Sequence, residues 1–243
     1  MKAFSSIKRF VLRILPAYAF VPAILAVSCN FIAYYIPKVV LRDAVHYDLS
    51  IFIDDLIPFL PWFIFFYILA YGQWASNYIY HAHAGREIFY HMATAVIIAK
   101  MVSMVFFLVL PTEIVRPEVT GGGLWNELTR MIYAADTPRN LFPSLHCVES
   151  WAVYRMARKM KSAPRWYAPL QLFLSVMVFA STVFVKQHFF IDIFAGILAV
   201  ELGWFLSRRF RLWRIFEWIE LPCVRRAREL PSAKDAEARK GSL

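Results

Sequence analysis

Long apolar runs alternate with short polar segments along this chain. Six runs are each long enough to cross a hydrocarbon core of about 30 Å. In hydrocarbon every backbone polar group must be bonded within its own segment, so these runs should be helices. The pattern predicts an all-α integral membrane protein with six transmembrane helices. The predicted spans are 15–37, 58–80, 89–110, 144–161, 166–186 and 189–207.

Two segments between the spans mix apolar and charged residues and predict helices lying at the membrane interface, 43–57 and 124–135. Both belong to the loops that we expect on the non-cytoplasmic side. Residues 1–229 are predicted to form one membrane domain, and the polar tail 230–243 a disordered cytoplasmic extension. The N-terminal run imitates a secretion signal, but it continues too far and predicts an uncleaved first span.

Composition and charge support this assignment. Apolar residues make up 60% of the chain and charged residues only 18%, where a soluble domain carries about 25%. The net charge of +10 comes from Lys and Arg clusters at the N-terminus, after the fourth run and after the sixth. The positive-inside rule therefore predicts cytoplasmic N- and C-termini. Without a basic fold motif, these clusters favour anionic lipid over nucleic acid as the partner.

The stretch 136–146 interrupts the apolar pattern. Pro143-Ser144 is typical of a helix start, and Ser144 is a candidate N-cap. The free amides of the following turn and the positive helix end favour an anion. His146 lies in that first turn and would stand beside a bound phosphate. The alternative is an ordinary capped helix with an interfacial histidine.

The stretch 186–192 carries the second set of polar residues. His188 and Asp192 are spaced i, i+4, so on a helix they share a face and can hydrogen-bond. A carboxylate on one ring nitrogen fixes the tautomer and makes the other nitrogen a better nucleophile. Lys186 adds a positive charge beside them. The alternative is a purely structural His–Asp pair, although a carboxylate at the edge of a span is a functional candidate by default.

Phe-Pro-Ser-Leu-His at 142–146, followed by Lys-Gln-His-Phe-Phe-Ile-Asp at 186–192, resembles the type 2 phosphatidic acid phosphatase (PAP2) superfamily. The resemblance covers about 90–207 and is greatest to the branch with inositol phosphorylceramide synthase-like proteins. It implies that His188 attacks phosphorus and that Asp192 orients it. It implies that His146 protonates the leaving oxygen, that Ser144 and nearby amides hold phosphate oxygens, and that no metal or other cofactor is needed.

The chain departs from the family at two phosphate-binding cations. Arg116 matches one motif arginine, although it could also be a solvated loop residue. Val109 and Thr182 stand where the family places a Lys and an Arg. Arg139 and Lys186 are candidate replacements. A site with fewer cations suits a singly charged phosphodiester better than a dianionic monoester.

These features predict a membrane lipid-phosphate phosphatase that acts on a phospholipid or isoprenoid (di)phosphate through a phosphohistidine at the outer leaflet. The alternative is a lipid phosphotransferase that moves a phospho-headgroup to an alcohol. A non-enzymatic transporter or scaffold is the third class. The expected partners are the lipid substrate and the bilayer, with a bacterial plasma membrane as the expected location.

Two charges, Lys100 and Glu201, lie deep within predicted spans. Lys100 and Glu201 stand at similar depths by residue counting, and an unpaired charge there is costly. We expect the two side chains to form a structural pair. Glu149 lies one turn beyond His146, and we expect it to pack against another polar group.

Overall fold

The computed structural model describes residues 11–220. Predictions for the basic residues before and after this range, and for the tail 230–243, lie outside the described residues. Within 11–220 the fold is helical, with two isolated β-bridges and no strand. The helices are α1 (Phe20–Val40), α2 (Phe52–Leu56), α3 (Ile64–Ala84), α4 (Arg86–Val109), α5 (Leu124–Ala135), α6 (Leu145–Ala157), α7 (Tyr167–Phe184), α8 (Phe190–Arg209) and α9 (Ile215–Trp218).

Four helical segments within 11–220 are long and apolar enough to cross a membrane, which indicates a membrane protein. Helices α3 and α6 are not among them. With 21 residues, α3 is about 32 Å long, whereas the 13 residues of α6 span only about 20 Å. The four candidate spans are Ala17–Val40, Arg86–Val109, Tyr167–Phe184 and Phe190–Arg209.

Several predicted boundaries were wrong. The predicted span 144–161 is helical only over α6, and the predicted helix 43–57 is reduced to the five residues of α2. The predicted helix 124–135 is present with those bounds as α5. The predicted span 58–80 continues as helix to Ala84, and α3 and α4 meet at Gly85, whose φ of 136° turns the chain within one residue.

Helix α6 occupies the centre of the bundle, in contact with α3, α4, α7 and α8. Buried residues lie along its whole length, and they include the polar Glu149 and Ser150. A helix surrounded by other helices does not meet lipid over its full length. Because α6 contacts protein over much of its surface, it does not need the long apolar run of a lipid-facing helix.

Polar side chains in α3 point into the bundle, which lowers the mean hydropathy of this helix without exposing them. Gln73 donates to Gln171 of α7 at 3.0 Å, and both side chains are buried. Asn77 accepts a hydrogen bond from the Tyr167 hydroxyl. These hydrogen bonds offset part of the cost of burying the amides in an apolar interior.

The expected pair of Lys100 and Glu201 is wrong. Lys100 forms an ion pair with Glu149 of α6 and donates to the Ala26 carbonyl at 2.8 Å. Glu201 instead pairs with Arg155 at 2.9 Å. Residue counting estimated depth but not which helices face each other, and central α6 supplies a partner to each. The expectation that Glu149 packs against a polar group is confirmed.

Helices α4 and α8 approach closely at Gly203. A Cβ atom on Gly203 would lie 2.3 Å from the Ala95 carbonyl oxygen, a distance that real Cβ atoms do not tolerate. That oxygen belongs to helix backbone, so it can move only if α4 moves. The packing of these two helices therefore requires a residue without a side chain at position 203.

We expect Gly203→Ala to destabilise the protein by about 1–3 kcal/mol, the usual cost of overpacking. The measurement is the thermal unfolding midpoint in detergent. Gly72→Ala is the matched control, because a Cβ there meets nothing within 4 Å and α3 gains a better helix former. Equal midpoints for the two variants would contradict the close approach.

Candidate functional site

The two unusual stretches of the sequence meet in the structure. His188 Nδ1 lies 3.1 Å from the carbonyl oxygen of Leu141, which joins the stretch 186–192 to the stretch 136–146. The rings of His146 and His188 have centroids 5.8 Å apart. Residues about 40 positions apart in sequence therefore form one cluster at one end of α6 and α8.

The hydrogen bonds of His188 fix its tautomer. Its Nδ1 faces the Leu141 carbonyl and, at 2.9 Å, Asp192 Oδ2. A carbonyl oxygen can only accept, so Nδ1 must carry the proton and donate it. In the neutral imidazole the other ring nitrogen, Nε2, carries a lone pair, and within residues 11–220 no hydrogen bond occupies it. A neutral imidazole with a free Nε2 is a nucleophile.

The expected contact between His188 and Asp192 forms, but not on one helical face. Helix α8 begins at Phe190, so His188 precedes the helix. Asp192 lies in the first turn and reaches back, where its Oδ2 also accepts from the backbone N–H of Phe189 at 3.2 Å. His188 and Asp192 therefore meet at the N-terminal cap of α8 and not on one face of a helix. The Asp192 side chain is fully buried.

The predicted helix start at Ser144 is confirmed. Helix α6 begins at Leu145, and Ser144 Oγ accepts from the Cys147 N–H at 3.4 Å. Ser144 is fully buried beneath α8, because Gly196 allows the two helices to meet there. A Cβ on Gly196 would lie 3.1 Å from the Ser144 carbonyl oxygen and 2.8 Å from Cys147 Cβ.

His146 is enclosed by aromatic side chains of α3. Its ring stacks on Tyr67 with centroids 4.2 Å apart, and Trp74 lies at 5.2 Å. His146 Nε2 is 3.3 Å from the Tyr71 hydroxyl. These contacts hold the imidazole ring in one orientation beside His188.

Both histidines line one cavity of about 310 Å³. Aromatic residues of α1 and α3 form much of its wall, and two of them, Phe31 and Tyr35, are half exposed on the outer face of α1. A cavity with an apolar side wall and polar groups at one end suits an amphipathic ligand.

The three candidate cations are all engaged by protein groups. Arg139 lines the cavity, where its Nε lies 3.3 Å from Glu113 and its Nη1 donates to the Arg42 carbonyl at 3.0 Å. Arg116 donates to Gln187 and to the Asp136 carbonyl. Lys186 donates to the carbonyls of Asp54 and Ile57 at 2.8 and 2.6 Å.

Arg116 and Lys186 face a different space from Arg139. They line a second cavity, of about 380 Å³, which His188 also borders. The two positions where the resemblance lacks a cation offer no replacement. Val109 is 70% exposed at the end of α4, and the buried Thr182 hydroxyl donates to the Phe179 carbonyl of its own helix.

Sequence reasoning missed Asp54 and Thr112, which position the site. Asp54 Oδ1 accepts from the first N–H of α8, at Phe190, at 2.7 Å. Thr112 holds the segment that presents the Leu141 carbonyl, because its Oγ1 accepts from the Leu141 N–H at 2.9 Å. Each contact joins residues far apart in sequence, so no local pattern indicates it.

Tyr133 connects α5 to the chain just after α7, next to the site. Its hydroxyl donates to the Val185 carbonyl at 2.7 Å, and the Arg116 guanidinium lies 4.6 Å from its ring centroid. Burial raises the pKa of Tyr133 to about 12, although Arg116 opposes the shift. The phenol therefore keeps its proton and remains a donor at neutral pH.

Comparison of the chain with protein-family models, with curated proteins and with solved structures finds no match in any of the three. Within 11–220 no three His, Cys, Asp or Glu side chains form a group that could hold a metal ion. Function is therefore inferred from the geometry described above.

We expect Asp54→Ala to lower the free energy of unfolding by about 1–2 kcal/mol, because the first N–H of α8 loses its cap. The N-cap residue, Phe189, has no side-chain acceptor to replace it. The measurement is thermal unfolding in detergent. Asp55→Ala, at the exposed neighbouring position, is the control and should change stability by less than about 0.5 kcal/mol. Equal losses in the two variants would contradict the capping role.

Proposed function

We propose that the protein is a PAP2-type membrane enzyme that transfers a phosphoryl group from a lipid phosphate through a phosphohistidine at His188. The observation that carries the proposal is the state of His188. Its Nδ1–H is held by Leu141 and Asp192, and its Nε2 is unoccupied beside a cavity that His146 shares. A nucleophile, its orienting partner and a second histidine are the groups that this chemistry needs.

In the proposed reaction, His188 Nε2 attacks phosphorus and the bond to the leaving oxygen breaks. The ring becomes a phosphoimidazolium, whose positive charge the Asp192 carboxylate stabilises. His146, protonated at this stage, gives its proton to the departing alkoxide. It then takes a proton from the acceptor, which attacks phosphorus and releases His188. Water as acceptor gives phosphatase activity.

A lipid phosphotransferase is the second candidate, and the state of the cations favours it. Arg139, Arg116 and Lys186 already bind protein groups, which leaves little positive charge for a dianionic phosphomonoester. A phosphodiester carries one negative charge. With an alcohol as acceptor, its headgroup would move to a new lipid.

We further propose that α3 and α6 complete a six-span arrangement with cytoplasmic termini. The length of α3 and the inward direction of its amides support this reading. The site then lies at the non-cytoplasmic face, with α2 and α5 at the interface of what we propose is a bacterial plasma membrane. A lipid would reach the cavity from the side.

The first test offers purified protein phosphatidic acid, a polyprenyl diphosphate, and a phosphodiester lipid together with an alcohol. Free phosphate indicates a phosphatase, and a new headgroup lipid indicates a transferase. We expect His188→Asn to abolish turnover. It should also abolish the acid-labile, base-stable ³²P label that a ³²P-labelled lipid leaves on the wild-type protein. Asp192→Asn should lower kcat about 10²-fold or more.

Asp43→Asn, at an exposed loop position, is the matched control and should behave as wild type. Thermal unfolding checks that each variant is folded. Wild-type turnover by folded His188→Asn would refute the phosphohistidine, and no turnover of any lipid by wild type would favour a transporter or scaffold.

The second test concerns topology. Ser50 and Ser162 are exposed residues of two loops that the proposal places on opposite sides of the membrane. In a background without native cysteines, Ser50→Cys should react with a membrane-impermeant maleimide on intact cells. Ser162→Cys should react only after the membrane is permeabilised. Labelling of both from outside would contradict the six-span arrangement.

A further inference from the structure

Two buried side chains of the histidine cavity have a polar atom without a partner. They are Tyr67, which is 1% exposed, and Asn140, which is 4% exposed. Neither Tyr67 Oη nor Asn140 Oδ1 makes a hydrogen bond within the described residues. Both side chains line the cavity that contains His146 and His188. An unmade hydrogen bond at a buried polar atom is costly, and a ligand in the cavity would supply the missing partner.

Tyr67 offers a donor. Its ring stacks on His146 at 4.2 Å, which fixes the phenol beside the catalytic histidines. A phenolic hydroxyl can donate its proton to a phosphate oxygen without adding charge to the site.

Asn140 offers an acceptor. Its Nδ2 lies 3.3 Å from the Tyr34 carbonyl oxygen, which can only accept, so the amide orientation is fixed and Oδ1 is the free end. Its backbone is also held, because its N–H donates to the Thr112 carbonyl at 3.0 Å. A free carbonyl oxygen binds a hydroxyl or an N–H, not a phosphate oxygen.

The charge of the cavity wall is close to balanced. Among the described residues that line it, Arg139 is the one permanent cation, and Glu113 already pairs with it. The Asp136 carboxylate accepts from the Tyr34 hydroxyl. A dianion would lose its water here without gaining a free cation, and burying charge without compensation is costly.

We propose that Tyr67 donates to a non-bridging phosphate oxygen and that Asn140 accepts from a hydroxyl or N–H of the same lipid. The substrate class is then a monoanionic phosphodiester lipid rather than a phosphomonoester. This inference rests on the phosphotransferase candidate of the proposed function, since it assigns the ligand of the same cavity. A single neutral donor, Tyr67, then contacts the phosphate of a chain that has Val109 and Thr182 where the family places two cations.

The experiment measures binding without turnover. The parent is His188→Asn, in which the amide can still donate to Asp192 but cannot form a phosphohistidine. The probes are dihexanoyl phosphatidylglycerol and dihexanoyl phosphatidylinositol, which are diesters, and dihexanoyl phosphatidic acid at pH 8. Isothermal titration calorimetry in detergent gives each Kd.

We expect the parent to bind a diester more tightly than phosphatidic acid. Adding Tyr67→Phe should weaken diester binding about tenfold, while the phenyl ring keeps its stack on His146. The matched control is Tyr80→Phe, the same change on the same helix outside the cavity, and it should alter Kd less than twofold. Thermal unfolding confirms that the variants are folded.

Three results would overturn the proposal: unchanged diester binding by Tyr67→Phe, tighter binding of phosphatidic acid than of either diester, or no binding of any probe. Turnover by the enzyme with native His188 is measured separately with the same lipids. If diester binding depends on Tyr67 but no lipid is turned over, the proposed reaction is refuted and the proposed binding site is still supported. Turnover with unchanged Tyr67→Phe binding would refute the binding site alone.

Discussion

One proton on His188 Nδ1 connects the parts of the site. It is shared between the Leu141 carbonyl, which belongs to the loop before α6, and Asp192, which belongs to the first turn of α8. The same Asp192 oxygen caps α8 at Phe189, so the start of α8 and the orientation of the imidazole are not independent. A change that displaced either segment would remove one of the two acceptors of the Nδ1 proton, and the orientation of the imidazole ring would then be less restricted.

The cations that look available in the sequence hold this end of the molecule together. Lys186 binds the carbonyls at the end of α2, and Arg116 binds the carbonyls at the end of α5. Each replaces water on backbone groups that would otherwise be unsatisfied where helices stop. This use explains how the chain can keep basic residues next to His188 and still present a cavity whose wall has little free positive charge.

The sequence predicted what depends on local spacing. The start of α6 at Ser144, the helix 124–135 and the contact of His188 with Asp192 follow from neighbours within four residues. Partners of Lys100 and Glu201 could not be found in this way, because they depend on which helices face central α6. Asp54, Thr112 and Tyr67 were missed for the same reason. Each acts on a segment more than 25 residues away, where no periodicity relates the two.

Contacts that lie outside the cavity, deeper in the helix bundle, fix the position of Tyr67. Trp74 Nε1 donates to Ser150 of α6 at 3.0 Å, and Gln73 donates to Gln171 of α7 at 3.0 Å. These contacts fix how far α3 is shifted along its neighbours, since a slip would leave buried polar atoms unpaired. Tyr67 lies two turns before Trp74 on the same helix. Its stack on His146 therefore depends on polar pairs outside the cavity, and the amides that lower the hydropathy of α3 act as positioning groups for the site.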